Sequence, residues 1–122
     1  IMSGPDAKIK QFNFLSGSWG KEVETGKCPI RKLTYSRSGN YFLSIDWEDL
    51  LQIWDANSFE WAGDIPWENE YIDVGEFSVD DSLILTTSYN KSRAQTSKGD
   101  IKNRLWNWRK RKEILAINSF NW

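Results

Sequence analysis

The sequence repeats itself with a period of 42 residues, and this repeat constrains the fold more than any other feature. The segment Leu33–Asp55 aligns with the segment that begins at Gly75. The aligned pairs, all 42 positions apart, are Tyr35 with Phe77, Ser36 with Ser78, Gly39 with Asp81, Phe42 with Ile84, Ser44 with Thr86, and Asp46 with Ser88. A period near 40 residues predicts a stack of repeated structural units.

Two further alignments extend the repeat along the chain. The segment Asp6–Asn13 aligns with Glu48–Asp55, again 42 positions apart. Trp54 aligns with Trp106 at a distance of 52 positions, so the later copy carries about ten extra residues. We assign these extra residues to the polar segment Asn90–Asp100, which has the composition of a loop.

Short runs of β-branched and aromatic residues, separated by Gly and Pro, predict an all-β fold with little helix. Examples are Ile30–Tyr35, Tyr41–Ile45 and Ile101–Trp106. Short strands combined with a period near 40 residues are typical of β-propellers, whose blades have four antiparallel strands. The predicted fold is therefore a set of propeller blades that forms an incomplete ring.

The composition argues against several classes of function. The net charge of −1 supplies no basic field for nucleic acid or an anionic membrane, and no apolar run approaches a membrane span. The chain has no His, which excludes His-dependent catalytic triads and His-ligated zinc. Its single cysteine, Cys28, excludes an internal disulfide framework. Because no phosphate-binding glycine motif appears either, we expect no cofactor and no enzymatic activity.

The segment LTYSRSGNYFLSIDWEDLLQIWDANSFEW, which starts at Leu33, resembles the WD-repeat β-propeller family. It contains an aromatic-Ser pair, a turn Gly, a second strand, an acidic turn and an ending at Trp54-Asp55, and RLWNWRKRKEI has a similar ending. The resemblance implies about two and a half blades. Residues 1–28 would form the third and outer strands of a first blade, residues 29–66 a second blade, and residues 67–122 a third blade with a loop insertion at 90–100.

Members of this family often join a His, a Ser or Thr, an Asp and a Trp in one hydrogen-bonded set. Ser44 and Trp54 match that pattern in the second blade, with Glu48 at the acidic position. Thr86 and Trp106 match it in the third blade, where the insertion replaces the acidic turn. The set is incomplete because the chain has no His. The resemblance implies structural roles for these residues, with both indoles packed between blades.

Three groups of residues in turns are candidate partner contacts. Trp47 occupies a turn position that is usually polar in the family, and aromatic side chains on rigid turns often anchor partners. Packing against neighbouring loops or further blades is the simpler interpretation. The basic run that includes Arg109 and Arg111 is compatible with phosphate binding or nuclear import, or with a solvated turn. The third group is Lys91, Arg93 and Lys98. These residues belong to the inserted loop, which is either a contact site or a flexible loop without a partner.

Two and a half blades are too few to close a ring, which takes roughly four to eight. A bare blade face with about 400 Å² of apolar area would release roughly 10 kcal/mol on burial. That value equals the whole stability of an ordinary domain, about 5–15 kcal/mol. We therefore expect the chain to belong to a longer propeller or a larger complex, or to close a ring by oligomerisation.

The predicted function is a non-catalytic scaffold for protein–protein interaction, in an intracellular, cytoplasmic setting. One alternative is a small lipocalin-like barrel that binds an apolar ligand, because Phe14–Trp19 resembles the Gly-x-Trp entry of that family. A barrel would not explain the 42-residue repeat. A second alternative, a single-strand nucleic-acid binder, would use the Trp side chains and the basic turn, and the net charge argues against it.

Overall fold

The computed structural model describes residues 1–26, 28–66, 70–90 and 101–118. These residues form an all-β structure of antiparallel strands without a helix, so the predicted class is confirmed. The strands are β1 (Met2–Ser3), β2 (Lys8–Asn13), β3 (Ser18–Glu24), β4 (Ile30–Tyr35), β5 (Tyr41–Asp46), β6 (Leu51–Asp55), β7 (Trp61–Asp64), β8 (Glu70–Phe77), β9 (Leu83–Asn90), β10 (Ile101–Asn107) and β11 (Lys112–Asn118).

The strands form three separate sheets, and each strand pairs with its neighbours in sequence. The first sheet contains β1 to β3, the middle sheet β4 to β7, and the third sheet β8 to β11. Strand β7 begins at Trp61, because Phe59 belongs to the preceding turn. Its backbone has a φ of 62°, and its N–H donates to Asp55 O at 2.9 Å.

The turns before β5 and β9 have the same hydrogen bonds at positions 42 residues apart. The Ser36 hydroxyl accepts the Tyr41 N–H at 3.1 Å, and the Ser78 hydroxyl accepts the Leu83 N–H at 3.0 Å. The left-handed backbone residue is Gly39 in the first turn, with a φ of 78°, and its aligned counterpart in the second turn has a φ of 65°. The repeat in the sequence thus corresponds to a repeated local structure.

The middle sheet is buried on both faces because the other two sheets lie on either side of it. Side chains alternate between the two faces of a strand. On β5, Phe42 joins a core shared with the first sheet, whereas Leu43 and Ile45 join a core shared with the third sheet. All three side chains have no exposed surface. The middle sheet therefore supplies both hydrophobic cores of the described structure.

Each sheet has two faces that can be told apart by the repeat. We call the face of the middle sheet that carries Trp54, and the face of the third sheet that carries Trp106, the indole faces. The opposite faces are the leucine faces; they carry Leu43 in the middle sheet, Leu85 in the third sheet and, in the first sheet, Ile9, which aligns with Leu51. Both indole faces pack against the preceding sheet.

The three sheets lie closest to one another at their first strands. Strand β4 approaches β1 on one side and β8 on the other. Gly75 on β8 allows close packing on the middle sheet, because a Cβ atom there would lie 3.0 Å from the Leu51 side chain. At the outer end of the same junction, a Cβ atom on Gly63 would lie 3.3 Å from the Trp108 ring.

Candidate functional site

The two tryptophans that the repeat aligns make the same hydrogen bond. The Trp54 indole N–H donates to Ser44 Oγ at 3.0 Å, and the Trp106 indole N–H donates to Thr86 Oγ1 at 3.0 Å. All four side chains are buried, and each pair lies on an indole face. A buried indole needs a partner for its N–H, and a hydroxyl on the neighbouring strand supplies it. These residues are part of the packing between sheets.

The acidic residue that organises the turn after β5 is Asp46, whereas the side chain of Glu48 is exposed. Asp46 Oδ1 accepts the N–H groups of Glu48 at 2.8 Å and of Leu50 at 3.0 Å. Asp46 is itself buried, because it belongs to the end of the strand. Its position just before a four-residue turn is typical of an Asx cap, so the sequence contained a signal for this role.

Trp47 lies at the rim between the middle and third sheets, on the turn that Asp46 caps. Its side chain is 68% exposed, and its backbone N–H donates to Pro29 O at 3.2 Å. Beside it is an open groove of about 270 Å³. The groove is lined by Arg31, Trp47, Asp49, Tyr71, Ile72, Asp73 and Tyr89. It combines three aromatic side chains with charged residues, a composition that is common at protein contacts.

An ion pair between a partly buried arginine and a buried aspartate forms the floor of this groove and joins the two sheets. Arg31 Nη2 lies 2.9 Å from Asp49 Oδ1, and the same carboxylate oxygen accepts the Ile72 N–H at 3.0 Å. The Arg31 guanidinium also donates to the carbonyl of Ile72 and, through Nε, to Asp46 O at 3.2 Å. Asp49 has a φ of 66°, which Asp tolerates better than most residues. Sequence reasoning missed this pair because its partners are 18 residues apart and on different elements.

The arginines of the basic turn after β10 pack against the middle sheet. The Arg109 guanidinium carbon lies 4.5 Å from the Trp108 ring centre and 5.5 Å from the Tyr41 ring centre, and its Nη2 donates to Tyr41 Oη at 3.2 Å. Arg111 Nε lies 3.1 Å from Asp64 Oδ1, an ion pair without hydrogen-bond geometry. The structure thus places both arginines in contacts between sheets, where cation–π and ionic interactions stabilise the junction.

The candidate contacts of the inserted loop, Lys91, Arg93 and Lys98, lie outside the described residues, as do Trp67 and Trp122. Within the ranges that the structure describes, no group of three or more His, Cys, Asp or Glu side chains is placed to hold a metal ion. Among the same residues, no helix has the length and apolar character needed to cross a membrane.

A second exposed surface is the turn between β2 and β3, which stands out in the sequence only for its resemblance to a lipocalin-like entry. Phe14 and Leu15 project from it with almost complete exposure. Local contacts fix the shape of this turn, since Asn13 Oδ1 accepts the Leu15 N–H at 2.9 Å and Gly17 has a φ of 67°. Behind it, the Phe12 ring packs edge-on at 5.3 Å from Phe14.

Comparison of the chain with models of protein families and with curated proteins found no match in either.

Proposed function

We propose that this chain contains blades of a WD-repeat-type β-propeller and acts as a non-catalytic scaffold for protein–protein interaction within a larger protein or complex. The observation that carries the proposal is that both junctions between sheets use the same positions. The leucine face of one sheet packs against the indole face of the next, with Trp54 and Ser44 at the first junction and Trp106 and Thr86 at the second. A repeated junction of this kind is expected when blades are stacked around an axis.

The pattern of closest approach supports the same proposal. In a propeller, the first strand of each blade lies near the central axis and the last strand lies at the periphery. Strands β4 and β8, the first strands of their sheets, approach each other, and β4 also approaches β1. Because β2 aligns with β6, β1 has the second-strand position of the first blade and is the innermost strand described there. The last strand of the middle sheet carries the exposed Trp61, as expected for a peripheral strand.

The arrangement of the strands favours stacked blades over the lipocalin-like alternative. A closed barrel requires a hydrogen-bonded ladder that continues from β3 into β4 and from β7 into β8. Among the described strands, pairing occurs only within each sheet. The core between the sheets is also filled by side chains such as Phe42 and Leu51, where a ligand-binding barrel would have a cavity.

The surface that we propose for partner contact is the rim around Trp47. A scaffold binds through side chains that a rigid framework holds in an exposed position, and large aromatic residues contribute most to such contacts. Trp47 meets this description because its turn is fixed by Asp46 and because the Arg31–Asp49 ion pair joins the two sheets beneath it. The basic residues of the inserted loop remain further candidates from the sequence.

The proposal can be tested by quantitative affinity mass spectrometry with the purified 122-residue chain and two matched variants. Trp47→Ala removes the proposed anchor, and Trp61→Ala removes an exposed tryptophan on a different strand. We expect Trp47→Ala to reduce recovery of specific partners by roughly tenfold or more, because anchor residues contribute about 2 kcal/mol or more. Trp61→Ala should leave recovery unchanged. Identical partner recovery for the wild type and Trp47→Ala would contradict the assignment of this rim.

A further inference from the structure

The leucine face of the third sheet is exposed, although its equivalent in the middle sheet is fully buried. Leu43 has no exposed surface, because the third sheet covers it. Leu85, the residue 42 positions later, is 44% exposed, and Leu115 and Ile117 on the same face are 51% and 52% exposed. Cross-strand pairing of Leu85, Leu105 and Leu115 places these leucines on one face. This face therefore has the residues of a packing surface without a sheet upon it in the described structure.

The first sheet exposes the opposite kind of face. Ile9 is buried against the middle sheet, so Lys10 and Phe12 point to the other side. Phe12 aligns with Trp54, and it therefore identifies this side as the indole face of the first sheet. Trp19 is paired with Phe12 across the sheet and is 61% exposed. Among the described residues, the third sheet thus exposes its leucine face and the first sheet exposes its indole face.

We propose that these two faces bind each other between two copies of this chain, head to tail. The inference rests on the proposed stacking of blades, since the two junctions within the chain both join a leucine face to an indole face. The same pairing between copies would repeat that geometry. Two copies of the three described sheets supply six sheets, within the range of roughly four to eight that closed propellers have.

The area that such a contact would bury can be compared with that of known interfaces. If the exposed apolar side chains of the third sheet's leucine face present about 400 Å², the size of a large apolar patch on a typical monomer, a similar area from the facing sheet gives each junction roughly 800 Å² of buried surface. A two-copy ring has two such junctions and buries roughly 1,600 Å², which is the size of a standard specific interface.

The charges on the two faces are compatible with this contact. On the indole face of the first sheet, Lys8 Nζ lies 3.2 Å from a carboxylate oxygen of Glu22, so these two charges compensate each other. Lys10 lies on the same face, with its Nζ 5.9 Å from the centre of the Trp19 ring. On the leucine face of the third sheet, the exposed Glu76 pairs with Leu85 across the strands. Because Glu24 and Glu22 lie opposite Lys8 and Lys10 on the first sheet, the formal charges of this indole face cancel, and no net negative charge there opposes the approach of Glu76.

Sedimentation velocity of the 122-residue chain between about 1 and 100 μM tests the proposal, because interfaces of this size commonly have micromolar or lower Kd values. The wild type should sediment as a species of twice the 14.3 kDa chain mass. Leu115→Glu and Trp19→Glu should each shift the population to the monomer, with a rise in Kd of at least tenfold. Val79→Glu, at an exposed apolar position in a turn, is the matched control and should stay dimeric.

A mixture of the two disrupted variants distinguishes head-to-tail pairing of unlike faces from symmetric pairing of like faces. Leu115→Glu retains an intact indole face and Trp19→Glu retains an intact leucine face, so the mixture should recover a dimer-sized species through one junction. A wild type that is monomeric at every concentration would overturn the proposal. It would also be overturned if Trp19→Glu stayed dimeric while Leu115→Glu did not, because leucine faces would then pair with each other.

Two controls keep the result interpretable. Far-UV circular dichroism checks that each variant folds, and Ile117→Glu replaces Leu115→Glu on the same face if the latter does not fold. A monomeric wild type would leave the proposed scaffold function intact, since that function is read from partner recovery with Trp47→Ala. Conversely, unchanged partner recovery would leave the self-association result intact.

Discussion

The hydrogen bond between Trp106 and Thr86 allows a sharp test of how the third sheet is held on the middle sheet. Both side chains are buried, and the indole nitrogen lies 3.0 Å from Thr86 Oγ1. The substitution Thr86→Val preserves the branched shape and removes the hydroxyl acceptor. The indole N–H then remains buried without that acceptor.

The expected cost follows from the energetics of buried polar groups. A buried donor that loses its partner destabilises the folded state by about 1–3 kcal/mol. Trp106→Phe removes the donor and part of the ring. The cavity that it leaves should lower the free energy of unfolding by a similar amount. In the double variant Thr86→Val/Trp106→Phe, no indole donor is left unpaired. We therefore expect the double variant to be more stable than the sum of the single effects predicts, by about 1 kcal/mol.

Guanidinium chloride unfolding followed by far-UV circular dichroism measures these free energies of unfolding. Circular dichroism is preferred to fluorescence because one substitution removes a tryptophan. The control is Thr34→Val, the same chemical change at a partly exposed position on β4, which should alter stability by less than about 0.5 kcal/mol. The equivalent pair at the other junction, Ser44 and Trp54, should give a coupling energy of the same sign.

The reasoning would be refuted if Thr86→Val were no more destabilising than Thr34→Val. It would also be refuted if the effects of Thr86→Val and Trp106→Phe were simply additive, because additivity means that the two side chains do not interact.

Two further predictions concern carboxylates in turns. Hydrogen bonds from the hydroxyls of Ser82 and Ser78, and from the Ser82 N–H, lower the pKa of Asp80 to about 2. Because this pKa is lowered in the folded state, the carboxylate contributes stability above about pH 4, and the contribution is lost as the pH falls from about 4 to about 2. A titration of its carboxyl carbon by NMR should show a midpoint near 2, and a midpoint near 4 would contradict the geometry. Asp49→Ala removes the buried partner of Arg31 and places Ala at a φ of 66°, so it should lower the free energy of unfolding by about 3–5 kcal/mol. A loss below about 1 kcal/mol in chemical unfolding would be inconsistent with that ion pair.

Much of the local structure could be read from the sequence because it depends on interactions between near neighbours. The strand pattern, and the alignment of Trp54 with Trp106, follow from side-chain alternation and from the repeat. The turn that contains Gly39 is repeated at Asp81, since both residue types tolerate a left-handed backbone. The turn before β7 is harder to predict, because Phe59 adopts a positive φ that is rare for an aromatic residue.

The candidate site was less accessible to sequence reasoning, since its important contacts join distant segments. Arg31 and Asp49 form the floor of the groove beside Trp47, and nothing in their local sequence indicates that they meet. Likewise, Arg109 resembles a solvated residue of a basic turn, yet its guanidinium lies on the rings of Trp108 and Tyr41. Which charged side chains make contacts between sheets depends on how the sheets are placed on one another.

The sequence by itself determined the strands, their repeat and the identity of the residues at equivalent positions, because hydrogen bonding between adjacent strands and side-chain alternation are local. Only the tertiary structure decided which of those equivalent positions are covered. Leu43 and Leu85 occupy the same place in the repeat, but the third sheet buries Leu43 and leaves Leu85 exposed. The physical reason is that an apolar face is buried only when a second face lies on it. The position of that second face depends on how the sheets pack together in three dimensions.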